Sequence, residues 1–467
     1  MRALEWVELR EKILSKVKPS KAEDKAIRGF SDETIKRVNS LLLEAGLEAV
    51  AELHGSVAHG TWVSGDTDLD IFIVMSPKYG RCDMEKILGV LKGGLDGDYV
   101  EAYAEHPYLR ARLEGYNVDF VPCFRVDPAV GILSSTDRTP HHTRYLKGVL
   151  DDGLRDEIRL LKQFTRGVGV YGAEIRVGGF SGYLCELLVL GHGSFTGLLK
   201  TAAGWNKGTV VQVITGLDDH ELRERFNESL IVVDPVDPGR NVASAVTPDT
   251  FWSFVAAAKA FTERPSERFF WGPDVKPTKM DVLGLLDGSS DVVFLVVDES
   301  RAEVADSLWG QIHKSKEALA RQLEAGDFRV LGSTAWSDDE RRHVFVFRLE
   351  SETLPPVAKR WGPPVSLGKD AERFIQAHIG APGTISGPGV EAGRWYVLSR
   401  REYTSATALL SRLLEDGGRN VGVSRNLSIR VLQHHRLLVN GEIEPYLEGG
   451  LVDHLYWFLK GRPHWLD

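Results

Sequence analysis

Gly55-Ser56-Val57-Ala58-His59-Gly60-Thr61-Trp62-Val63-Ser64-Gly65-Asp66-Thr67-Asp68-Leu69-Asp70, running on into Ile71-Phe72-Ile73-Val74, is the segment from which the fold can be read. It follows the apolar run Ala49-Val50-Ala51-Glu52-Leu53, so Gly55-Ser56 stands where a strand should end. Small residues at such a place let backbone N–H groups close around a phosphate. Asp68 and Asp70 are two apart on an expected strand, and a side-chain period of two puts both carboxylates on one face. Two carboxylates beside a phosphate cradle suit Mg²⁺, which takes hard oxygen ligands and often shares them with a triphosphate. A Gly-Ser turn or an Asp-x-Asp is commonplace alone; the ordered set strand, Gly-Ser, Asp-x-Asp, strand is not.

A third acid joins them downstream. Tyr108 to Leu113 and Tyr116 to Val121 read as strands joined by Glu114-Gly115, and the second carries Val118-Asp119-Phe120-Val121. A carboxylate inside an apolar strand costs several kcal/mol unless it is paired or metal-bound. Asp68, Asp70 and Asp119 on adjacent strands describe a two-metal site for phosphoryl transfer.

With 467 residues the chain exceeds one ordinary core, and about two to four domains are expected. Its 43% hydrophobic and 26% charged residues are those of an ordinary globular protein and exclude wholesale disorder. A net charge of −9 argues against uniform coating of nucleic acid; an RNA partner would be met by local basic patches and by shape. Cys82, Cys123 and Cys185 are odd in number and far apart, with neither a disulfide framework nor zinc spacing, which fits a reducing, cytoplasmic location. The opening Met1 to Glu8 is charged and amphipathic, unlike a signal peptide, and no run approaches a membrane span.

Residues 4–18 read as a helix stopped at Pro19-Ser20, and a second helix is expected from an N-cap near Ser31-Asp32-Glu33 to Ala45-Gly46. Met84 to Lys92 is helical in pattern and Tyr99 to Ala104 a strand. The His141-His142 pair has no third ligand at zinc spacing and reads as donors to ribose or triphosphate. In the helix expected over 151–169, Arg155, Arg159, Lys162 and Arg166 read as a solvated basic face, with phosphate as the alternative target of Lys162. Tyr171 reads on its own as a packing residue, and Ser181 opens a buried helix, Leu184 to Leu190. Leu230 to Val242 is strand then turn, and residues 250–262 are helical before a boundary at Arg264-Pro265-Ser266-Glu267. Three regions follow: 1–145, a mainly helical 146–267, and 268–467. In the last, a strand Asp291 to Val297, a helix Leu308 to Ala325, and strands Phe328 to Thr334 and Arg342 to Leu349 suggest an α+β unit of ferredoxin or RNA-recognition type. No aromatic signature of an RNA-binding sheet accompanies it. Arg425, Arg430, His434, His435 and Arg436 suit a duplex-RNA surface or, equally, a solvated face.

With these residues in view, the chain resembles the archaeal-type (class I) CCA-adding enzymes, tRNA nucleotidyltransferases of the polymerase-β-like superfamily. The carriers are Gly55-Ser56 with Asp68-Leu69-Asp70, Tyr103-Ala104-Glu105-His106-Pro107-Tyr108, Val118-Asp119-Phe120-Val121-Pro122-Cys123, Asp137-Arg138-Thr139-Pro140, Val170-Tyr171-Gly172-Ala173-Glu174, Gly179 to Leu188, and Asp234-Pro235-Val236-Asp237-Pro238 with Arg240-Asn241-Val242. The resemblance implies an α+β multidomain chain: a nucleotidyltransferase head with a palm-type sheet (1–145), a helical neck (146–267), and body and tail (268–467) gripping the tRNA acceptor stem and T-arm. It implies template-independent addition of C, C and A to the tRNA 3′ end from CTP and ATP, with a homodimer as one admissible assembly. Asp68, Asp70 and Asp119 would hold Mg²⁺. Gly55, Ser56, His59, Thr139, His142, Lys162 and Tyr171 would contact the nucleotide, with Arg240 near its base. Relatives usually carry Arg or Lys where this chain has His59, so nucleotide affinity is expected to lean on Mg²⁺ and Lys162 and to strengthen as pH falls toward about 6. A poly(A) polymerase or other RNA terminal nucleotidyltransferase with the same head, and a catalytically silent tRNA-binding protein, are the competing readings.

Overall fold

The computed structural model describes residues 3–103, 107–127, 131–214, 216–272, 275–288, 290–298 and 305–466. Residues 104–106, inside the expected segment Tyr103 to Tyr108, lie outside the described residues. Two compact units emerge: Met1–Asp274 with Pro463–Asp467, and Val275–Arg462. Among the described residues, no helix is long and apolar enough to cross a membrane.

The first unit opens with α1 (Ala3–Val17) and α2 (Lys21–Glu44). The second helix is capped eleven residues before the expected Ser31. Ser20 is its N-cap, accepting from the Glu23 backbone while the Glu23 side chain accepts from the Ser20 N–H. Ser31 is buried mid-helix, its hydroxyl donating to the Ile27 carbonyl at 2.6 Å. A five-stranded sheet follows from β1 (Ala49–His54), the short α3 (Gly55–His59), β2 (Asp68–Met75), α4 (Arg81–Gly94), β3 (Asp98–Tyr103), β4 (Pro107–Leu113) and β5 (Tyr116–Phe124). Its order is β1-β2-β5-β4-β3, and β2–β5 is its one parallel pairing. Beyond the acids β2 is buried on both faces. Leu69, Ile71, Ile73 and Met75 pack against α2 and α4; Phe72 and Val74 join Cys123 on the other side. Each such side chain contributes about 1.5–3 kcal/mol of burial, which locks the register. Asp68 and Asp70 therefore share the Phe72 face, and Asp119 the matching face of β5.

Helices dominate the rest of this unit: α5 (Thr139–Val149), α6 (Asp152–Val168), α7 (Gly182–His192), α8 (Phe195–Ala202), α9 (Asp219–Arg225) and α10 (Pro248–Glu263), with a two-stranded parallel pair of β6 (Thr209–Val211) and β7 (Leu230–Val232). Phe164 of α6 lies among the rings of Phe195, Phe254, Phe261, Phe269 and Phe270, and α1 joins this core through Ile13, Leu14 and Val17.

In the second unit, α11 (Lys279–Leu286), β8 (Asp291–Val297), α12 (Ala305–Ala325), β9 (Val330–Ser337) and β10 (His343–Leu349) precede a three-stranded sheet of β11 (Val357–Pro364), β12 (Thr384–Glu391) and β13 (Arg394–Arg400) carrying α13 (Gly368–His378). Then come α14 (Ala406–Leu413), α15 (Arg425–Gln433), β14 (His435–Val439) and α16 (Gly450–Lys460). The four-stranded sheet runs β14-β8-β10-β9, all antiparallel. With α12 and α15 as crossovers, that is the βαββαβ order of a ferredoxin-like fold, split by the three-stranded insertion. Both faces are covered. Val293, Leu295 and Val297 pack under α12, α14 and α15, while Val292, Phe294 and Val296 pack under α11 and α16. The sheet face on which RNA-recognition domains stack bases is thus buried here.

Candidate active site

The sheet and the central helices meet around a cavity of about 330 Å³. Gly55, Ser56, His59, Asp68, Asp70, Thr139, His142, Lys162 and Tyr171, expected from the sequence, all line it, together with Asp66, Arg166, Gly182, Tyr183 and Glu186. Asp119 and Arg240 are the expected residues that do not.

Asp70 pairs in register with Asp119 across β2–β5, and with His54 of β1 on its other side. Burial, then the neighbouring Asp119 and Asp68 carboxylates, push Asp70 up to about 6. Gly55 lies so close that a Cβ there would sit 1.9 Å from Asp70 Oδ2. Asp119 is held by Arg110 of β4 in a two-pronged pair, Nε to Oδ1 and Nη2 to Oδ2, both 2.8 Å. Asp68 accepts from the Asn117 amide at 2.9 Å. Among the described residues, no group of three His, Cys, Asp or Glu side chains is gathered closely enough to hold a metal as it stands. The donor set nonetheless suits a hard divalent cation. A half-buried carboxylate abreast of two others, with no ion-pair partner among the described residues, is what such an ion relieves.

The basic residues of α6 do not form a solvated face. Arg155 donates to the His59 carbonyl, Arg159 to the carbonyls of Trp62 and Gly60, and Arg166 makes a two-pronged pair with Asp66. Together they hold residues 59–66 to the helix, the first two through backbone carbonyls and Arg166 through the Asp66 carboxylate. Arg155 and Arg159, with Ala58, His59 and Gly60, also line a larger cavity of about 640 Å³, which holds none of the three β-strand acids. Lys162 is buried at 2% exposure and reaches Thr61 Oγ1 at 2.9 Å and Glu186 Oε1 at 3.2 Å. His59 bridges Glu186 through Nδ1 at 3.1 Å and Thr143 Oγ1 through Nε2 at 3.0 Å. Burial alone would raise Glu186, but Lys162, His59 and Thr61 outweigh it and hold the carboxyl at about 2.

A second buried acid organises the opposite wall. Asp234, just past β7, is fully buried and accepts from His142 Nε2 at 2.8 Å, Arg240 Nη1 at 2.9 Å, the Tyr183 hydroxyl at 3.2 Å and the Val236 N–H at 3.0 Å. Arg240 therefore stands behind His142, whose ring stacks on Tyr183 at 4.0 Å. Tyr171 lies under the Arg166 guanidinium, 4.7 Å from its ring centroid.

Three family models match the chain: a nucleotidyltransferase domain over residues 32–139, the second domain of tRNA nucleotidyltransferase over 156–271, and the C-terminal domain of CCA-adding enzyme over 290–438. The CCA-adding enzyme of Methanothermobacter thermautotrophicus is 38% identical over 432 residues, covering 90% of this chain and 92% of that protein. That of Halobacterium salinarum is 38% identical over 84% of this chain and 85% of its own, and that of Haloarcula marismortui 32% identical over 96% and 97%. The chain belongs to the archaeal CCA-adding enzymes. A solved RNA terminal U-transferase, 16% identical over 58% of this chain and 100% of its own at a TM-score of 0.46, is too distant to bear on that assignment.

What sequence reasoning missed in this CCA-adding enzyme is the pair of buried acids, Glu186 and Asp234. Each left a trace. Glu186 is the lone charge in Leu184-Cys185-Glu186-Leu187-Leu188, and Asp234 ends the apolar run Leu230-Ile231-Val232-Val233.

Proposed function

We propose that the chain adds C, C and A in turn to the 3′ end of tRNA, from CTP and ATP and without a template, by nucleotidyl transfer that releases pyrophosphate. One observation supports it above the rest: Asp68 and Asp70 line a cavity whose other wall carries Lys162, His142 and Tyr171, and Asp119 stands abreast of Asp70 on the next strand. The nucleotidyltransferase family works with divalent metal ions, and Asp68, Asp70 and Asp119 would hold Mg²⁺. Bound there, Mg²⁺ would lower the pKa of the tRNA 3′-hydroxyl and neutralise the departing pyrophosphate.

The chain's own residues position the reactants. Ser56, His59, Thr139, His142, Lys162 and Tyr171 would hold the triphosphate and ribose, and Arg240 would work near the base through its link to Asp234. Lys162 supplies a charge fixed in place before the nucleotide arrives, so little reorganisation is left for the transfer step. Residues 1–145 would act as catalytic head, 146–267 as neck, and 268–467 as the part that grips the acceptor stem and T-arm, in the cytoplasm.

The test is incubation of tRNA lacking its 3′ end with each labelled nucleotide and Mg²⁺, followed by sequencing of the product. Arrest after CCA is expected. An unlimited tail made from ATP alone on generic RNA would instead mark a poly(A) polymerase, and absence of any metal-dependent incorporation a silent tRNA-binding protein.

A further inference from the structure

Glu186 is an acid in an apolar helix, 2% exposed, and its carboxylate takes three side chains from two other segments of chain. Lys162 Nζ donates to it from α6 at 3.2 Å, Thr61 Oγ1 from the loop after α3, and His59 Nδ1 from α3 itself at 3.1 Å. An ammonium has three N–H donors. All three of Lys162 have acceptors: Glu186 Oε1, Thr61 Oγ1 at 2.9 Å and the Thr61 carbonyl at 3.3 Å. Lys162, His59 and Glu186 all line the cavity.

We propose that Glu186 is a positioning residue for nucleotide binding, its carboxylate holding the Lys162 ammonium at the cavity wall for the triphosphate of CTP or ATP. The proposal rests on the reading of Lys162 as a triphosphate contact. A phosphate oxygen can replace the longest of the three partners, the Thr61 carbonyl, while Glu186 and Thr61 Oγ1 keep the ammonium in place. Without the carboxylate, a fully buried ammonium loses its counter-ion and either sheds its proton or swings away. The stem of Lys162 is long and flexible, so a charge at its end needs a fixed acceptor if it is to wait in one position.

The experiment measures CTP and ATP saturation on tRNA lacking CCA for the full chain, Glu186→Gln, Lys162→Met and the double variant, with a melting curve for each. Glu186→Gln is expected to raise KM for both nucleotides roughly tenfold, to lower kcat by less than about threefold, and to leave KM for tRNA unchanged. Lys162→Met raises nucleotide KM at least as much, and the double variant is no worse than Lys162→Met alone. A purely structural Glu186 would not produce that split or that non-additivity. Unchanged nucleotide KM in Glu186→Gln beside a raised KM in Lys162→Met overturns the proposal and leaves the Lys162 reading standing. Unchanged KM in Lys162→Met removes the Lys162 reading and this proposal with it. Should Glu186→Gln fail to fold, Lys162→Met is compared with Lys162→Met/Glu186→Leu, which buries no unpaired charge. Equal nucleotide KM supports the proposal, and a further rise overturns it.

Discussion

Asp70 and Asp119 stand side by side as register partners of two parallel strands, although 48 residues of chain separate them. Their alignment is set by the apolar residues that follow each acid, Phe72 beside Val121 and Val74 beside Cys123, rather than by the acids themselves. Replacing the acid therefore leaves the sheet intact. Asp119→Ala is expected to reduce CMP incorporation with Mg²⁺ by more than about a thousandfold while the far-UV circular dichroism and melting temperature stay near those of the parent. Substantial residual incorporation would remove Asp119 from the catalytic set.

Arg110 competes for Asp119. Its fork occupies both carboxylate oxygens, which a divalent cation would also need. Arg110→Ala should lower the Mg²⁺ concentration for half-maximal activity by about two- to fivefold, because an exposed pair of this kind is worth only about 1 kcal/mol or less and opposes metal entry. A magnesium titration of both proteins checks it; an unchanged or higher requirement would show that Arg110 helps rather than hinders.

Gly55 has a backbone φ of +66° and no room for a Cβ beside Asp70. Gly55→Ala combines a left-handed backbone cost of about 1 kcal/mol with a clash at the acid. Nucleotide addition is expected to fall at least about a hundredfold, with only a few degrees lost in melting temperature. Near-normal kcat/KM for CTP would mean that Asp70 can move without consequence.

Asp234 gives a pH dependence whose sign is fixed. Burial alone would raise it, but His142, the Val236 N–H and Arg240 outweigh burial and bring it from 3.8 to about 2. A lowered carboxyl contributes stability that is present above its ordinary value and lost as pH falls through the folded one. Urea unfolding at stepped pH should show Asp234→Asn less stable than the parent by on the order of 2 kcal/mol at pH 7, with the gap closing between about pH 4 and pH 2. A gap that stays constant over that range would assign the loss to packing. His142 and Arg240 lose their shared anchor in the same variant, so nucleotide KM should rise as well.

Much of this was legible in the sequence where the signal is local. The strand period of two put Asp68 and Asp70 on one face, an acid inside an apolar strand marked Asp119, and Ser181 announced α7. The start of α2 was readable too, from Ser20 followed three residues on by Glu23, but Ser31 with its trailing acids imitates a cap, and Lys21 to Gly29 holds too few apolar residues to reveal the helical period. The arginines of α6 were illegible for a different reason. A cation on a helix looks solvated until another segment brings carbonyls to it, and the 59–66 loop that does so is nearly a hundred residues away. Arg240 behind His142, rather than at the cavity wall, is likewise a product of tertiary packing on Asp234.

After the second unit closes at Arg462, the described chain returns to the first, where Trp465 stacks on Phe269 and His464 bonds the Trp271 carbonyl. For anyone dissecting the protein into fragments, the first unit is thus not a simple prefix. Cutting after residue 272 would strip a ring from the Phe269 aromatic cluster, and a faithful fragment would have to splice residues 463–466 back onto the helical core.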